Sequence, residues 1–197
     1  MRDAEIDLKH GQGDPYFIRN RKQLATLKAA ARQELLDVLS SMGTVSVAEL
    51  AAALGKPADS LYYHLRILQK AGLVIEDGTR EEAGHNERLY RAVASDLRLA
   101  YTPGPKGNAE AVTPIVDSML RLTSRDFKAA FTDATTVIEG PQRELWAART
   151  TGWLTEQQVE ELNQHIASMR QITVSSPPRD GDERLYALTM VLAPLNR

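Results

Sequence analysis

The chain has 197 residues, 43% hydrophobic and 25% charged, which suits a soluble protein burying one large core or two small ones. It contains no cysteine, so disulfides, thiolate metal sites and cysteine nucleophiles are excluded. Net charge is only −2, no apolar run approaches a membrane span, and the N-terminus (MRDAEIDLKH) has no signal-peptide core, so a cytoplasmic protein without a membrane partner is expected.

Residues 1–18 are mixed and Gly-containing, and are expected to form a loose N-terminal arm. Asn20 to Leu27 and Ala29 to Ser41 favour helix, the second with an apolar face of Leu35, Leu36, Val38 and Leu39. From Asp14 to Glu34 the intervening charges, Arg19, Arg21, Lys22, Lys28 and Arg32, are all basic. Ser46-Val47-Ala48-Glu49 is a capping box, in which the Ser46 hydroxyl accepts from the Glu49 N–H while the Glu49 carboxylate reaches back. The helix it starts carries Val47, Leu50, Ala51 and Leu54 on one face, and Gly55 suits a left-handed end.

A helix from about Pro57 to Ala71, ended by Gly72, has two unlike faces. Leu61, Leu65 and Leu68 form a stripe to bury, whereas Asp59, Tyr62, Tyr63, Arg66 and Lys70 occupy the opposite side. His64 lies on the buried side and is expected to be a structural histidine bonded to a carbonyl or carboxylate. Leu73-Val74-Ile75 and Arg88 to Val93 read as strands, joined by the polar span Glu76 to Glu87, a length that a wing needs to reach beyond its own domain. Helix, turn, helix and hairpin is the plan of a winged helix-turn-helix, expected over residues 19–95.

Thr102 to Asn108 is a turn-rich break and a candidate boundary. Beyond it, residues 109–197 are expected to form a C-terminal α/β dimerisation or effector domain, giving a mainly α, α+β chain. Thr113 and Pro114 suit the start of a helix to about Ala134, whose Met119, Phe127 and Phe131 suit a dimer seam. Glu144 to Arg149 and Leu185 to Leu192 read as strands. Thr155-Glu156-Gln157-Gln158 is a second capping box, before a helix lined by Val159, Leu162, Ile166 and Met169. Ser176 to Asp182 reads as a loop. Trp146 and Trp153 either flank an effector cleft or are ordinary core aromatics.

The unit Leu27 to Val93 resembles the arsenic-repressor-like (ArsR-type) winged-helix regulators. The matching residues are Arg32 with Leu35-Leu36, Val47 to Ala51, Ser60-Leu61-Tyr62-Tyr63-His64-Leu65 with Leu68, and Ala71-Gly72-Leu73-Val74. The resemblance implies a homodimer that binds an inverted repeat in double-stranded DNA, with one helix per copy in the major groove. Metal sensors of this family use cysteines or histidine–carboxylate clusters. This chain lacks the first, and His10, His64, His85 and His165 show no ligand spacing, so no metal and no cofactor is expected.

Helix-turn-helix proteins read bases with the early residues of the second helix, here Ser60, Tyr62 and Tyr63, with Arg66 a turn later. Lys56, Arg80, His85 and Arg88 are phosphate or minor-groove candidates; the bland alternative for each is a solvated side chain. No nucleophile elbow, phosphate-cradling Gly loop or metal cluster occurs, so an enzyme is not expected. The alternative function is a winged-helix protein-interaction module, which the near-neutral charge and Asp59 favour.

Overall fold

The computed structural model describes residues 15–82, 84–175, 181 and 183–195. The chain divides between Met119 and Leu120 into two compact units. Residues 1–14, with most of the expected arm and His10, and most of the expected 176–182 loop lie outside the described residues.

The first unit begins with strand β1 (Tyr16–Ile18) and helices α1 (Arg21–Leu27) and α2 (Ala30–Met42). Strand β2 (Val45–Ser46), helices α3 (Val47–Leu54) and α4 (Ala58–Lys70), and strands β3 (Val74–Glu82), β4 (His85–Ala92) and β5 (Leu97–Leu99) follow. Tyr16–Ile18, expected in the arm, instead pairs parallel with β5, Tyr16 opposite Leu97. The second sheet has the order β2-β4-β3, all antiparallel.

Helix α3 forms where its caps predict. Ser46 and Glu49 complete both halves of the capping box, and the Ser46 N–H, with Arg80 beside it, holds the Glu49 carboxyl below its usual range. Gly55 ends α3 with a left-handed backbone (φ 61°), a conformation that costs a β-carbon-bearing residue free energy. α4 then starts behind Pro57 and buries Leu61, Leu65 and Leu68 against Leu35, Leu36, Leu39, Leu50 and Leu73.

The hairpin differs from the expected pair of short strands with a long polar connection. The ladder continues through the span 76–87, so that Glu82 faces His85 across a two-residue connection. Glu76 to Glu87 is polar on both sides of the ribbon, which hides the alternation that marks a half-buried strand. A bulge lies between Glu76 and Thr79, where Gly78 has φ 92°.

Asn108 closes the turn-rich break, its side chain donating to the Ala100 carbonyl (2.8 Å) and accepting from the Thr102 N–H (2.9 Å). A β-carbon on Gly107 would sit 1.9 Å from the Thr102 carbonyl oxygen, so the ring closes only around glycine. Helix α5 (Ala109–Thr132) starts four residues before the expected Thr113, with Pro114 inside it. Proline has no N–H for the Glu110 carbonyl four residues back; the Lys28 ammonium approaches that carbonyl instead (3.5 Å). Val112 and Ile115 are buried in the same core as α2.

The second unit holds the end of α5 and helix α6 (Glu156–Val174), which opens with both halves of the Thr155–Gln158 capping box. The expected strands at 144–149 and 185–192 are not formed. Apolar, β-favouring residues make a strand only when another edge completes their ladder, and the described residues of this unit contain no strand. The overall class is α+β with the helix-turn-helix in the N-terminal part, as expected. No helix among the described residues is long and apolar enough to cross a membrane.

Candidate nucleic-acid interface

α4 presents the two faces that its spacing predicts. Asp59, Tyr62, Tyr63, Arg66 and Lys70 are all exposed, opposite the buried leucines. Tyr62 and Tyr63 remain 48% and 64% exposed, high for rings on a helix that otherwise packs into a core. Asp59 sits in the first turn, where the helix dipole favours a carboxylate. The Ser60 hydroxyl donates to the Pro57 carbonyl at 2.6 Å and stays at the exposed helix start.

A cleft of about 450 Å³ runs between α4 and the hairpin. Tyr62, Arg66 and Arg88 line it together, so three of the expected DNA-contacting residues meet in one place. Arg66 is exposed and has no ion-pair partner among the described residues. Gln69, Asn86 and Tyr90 share the lining and were not among the expected contacts. Gln69 lies seven residues beyond Tyr62, on the same helical repeat; Asn86 carries no such signal, because the polarity of its strand on both faces hides it. Gln and Asn amides suit the two-point pattern of adenine in the major groove. Burial, together with Glu76, pushes the Tyr90 hydroxyl up from its ordinary value.

Three of the expected cations, Lys56, Arg80 and Arg88, are paired within the protein. Lys56 is paired with Glu34. Arg80 lies among Glu82 (2.9 Å), Glu49 (3.1 Å) and Glu87 (3.4 Å), and Arg88 is 3.6 Å from Glu76. The hairpin carries Glu76, Asp77, Glu81, Glu82 and Glu87 against Arg80, Arg88 and Arg91, so it is internally paired and net acidic. His85 pairs with Glu82 in the ladder, and its side chain lies outside the described part of the chain. Of the N-terminal basic set, Lys22 donates to the Lys70 carbonyl at the end of α4 and Arg32 to the Thr26 carbonyl, whereas Arg19 stacks over Phe17 and Arg21 is exposed.

His64 differs from the satisfied structural histidine expected. Its Nδ1 is buried without a hydrogen-bond partner among the described residues, and its ring meets Tyr63 edge-on at 5.3 Å. Burial lowers its pKa, and Arg32 and Lys56 nearby lower it further. The folded protein therefore resists a proton that the unfolded chain takes up near pH 6.5, its ordinary value. Stability is expected to fall as pH drops through 6.5, and His64→Gln to flatten that dependence. Thermal melts at pH 7.5 and 5.5 check this, and an equal acid shift in both proteins would contradict it.

Trp146 and Trp153 are both exposed, so neither is the core aromatic considered from sequence; the Arg143 guanidinium stacks 4.0 Å from the Trp146 ring. Among the described residues, no group of three or more His, Asp or Glu side chains is arranged to hold a metal ion.

Comparison with known families places a helix-turn-helix domain over residues 29–77, from the start of α2 into β3. That stretch contains α4 and the Gly55 turn. No curated protein matches the chain. A helix-turn-helix domain points to DNA-binding regulation.

Proposed function

We propose that the chain is an ArsR-type, sequence-specific transcriptional regulator that acts in the cytoplasm as a homodimer on an inverted-repeat operator. Residues 19–95 form its DNA-binding domain and 109–197 its dimerisation and effector domain. α4 enters the major groove; Ser60, Tyr62, Tyr63 and Arg66 meet base edges, and Lys56 meets the backbone at the helix start. Arg80, His85 and Arg88 follow the adjoining phosphates. A small-molecule effector binds beside Trp146 and Trp153. The observation that carries the DNA reading is the outer face of α4, where two tyrosines and an arginine without an ion-pair partner among the described residues stand exposed over a buried leucine stripe.

Salt titration of binding to selected genomic fragments tests it. Contacts to phosphates release counterions, so affinity falls with salt on a log–log slope of about −0.9 per phosphate neutralised. Because Lys56, Arg80 and Arg88 are already paired, the slope is expected to be shallower than the Lys/Arg count of the domain suggests. A slope near zero would instead fit a winged helix that binds protein.

A further inference from the structure

In the second unit, α6 has an unusual exposure. None of its residues is buried, and among the described residues no other helix or strand makes an extended contact with it. Val159, Leu162, Ile166 and Met169 nevertheless follow the alternating three- and four-residue spacing of a coiled-coil seam. Val159 and Met169 are 39% and 40% exposed, and Leu162 and Ile166 are half-buried. A capped helix whose apolar stripe is only partly covered gains little from standing alone, since most helical stability comes from packing such a face.

The stripe is complementary to itself. About a two-fold axis through Gln164, Val159 falls opposite Met169 and Leu162 opposite Ile166. This works only with the two helices antiparallel. A parallel pair would bring Glu156, Glu160 and Glu161 against their own copies. The antiparallel pair separates the two acidic ends by the length of the helix and opposes the helix dipoles.

We infer that α6 is the seam on which two copies of this chain join, as an antiparallel helix pair centred on Gln164. The inference rests on the homodimer reading and specifies its interface. Because the chain has no cysteine, one introduced thiol is a unique reporter. In this pair the two copies of position 163 lie roughly 3 Å apart along the axis, and those of position 156 roughly 24 Å apart. With a short bismaleimide, Asn163→Cys is expected to give a covalent dimer and Glu156→Cys none. Light scattering is expected to show a dimeric parent and a monomer for Leu162→Glu combined with Ile166→Glu. Melting of the first unit is expected to be unchanged in that double variant. A dimer that persists in the double variant, or cross-linking at 156 and not at 163, overturns the α6 seam and leaves the homodimer reading standing. A monomeric parent overturns both.

Discussion

Arg66→Ala is expected to weaken binding to the preferred DNA fragment by roughly 5- to 150-fold, with the loss concentrated on that sequence. A well-placed arginine contact to guanine discriminates by about 1–3 kcal/mol, which corresponds to this range. The fold is not expected to suffer. Arg66 is exposed and holds no ion pair among the described residues, and such surface substitutions change stability by only about 0.5 kcal/mol. Fluorescence anisotropy on the preferred and a scrambled fragment, with a melt of each protein, checks both parts. Equal weakening on the two fragments would make Arg66 a phosphate contact and remove it from the set that reads sequence.

Leu68→Ala is expected to destabilise the first unit by about 2–5 kcal/mol, since a cavity adds to the lost burial. Leu68 is fully buried and lies where α4 meets α2 and the residues leading into β3; its carbonyl also accepts from the Leu73 N–H at 3.0 Å. Domains of this size are stable by about 5–15 kcal/mol, so the variant should lose a substantial share of that stability. A urea titration that follows the first unit should show a lower midpoint with an unchanged slope. A loss below about 1 kcal/mol would mean that the core closes over the gap, and that α4 is not anchored by this leucine.

The parts of the structure that could be read in the sequence are those encoded within a few residues. Both capping boxes, the left-handed Gly55 and the two faces of α4 depend on local spacing alone, and each is present. Features that depend on distant partners could not be read. Lys56 finds Glu34 22 positions away, and Lys28 reaches the carbonyl orphaned by Pro114 82 positions away, which is why the start of α5 reads too late. The hairpin was hidden by polarity on both faces. The opposite error, strands expected at 144–149 and 185–192, followed from residue propensity without a ladder partner. In the candidate site, Tyr62, Tyr63 and Arg66 followed from helical period, whereas the pairing of Arg80 with three carboxylates required the fold.

The hydrogen-bonded ladder of β3 and β4 also limits how this protein can change over generations. With Arg80 directly across from Glu87 and Glu82 facing His85, a single-residue insertion in either strand would turn every later side chain to the other face. It would separate Arg80 from its carboxylates. Relatives with longer or shorter hairpins should therefore differ by matched pairs of residues in the two strands, or by changes at the Gly78 bulge, where an unpaired residue is already accommodated.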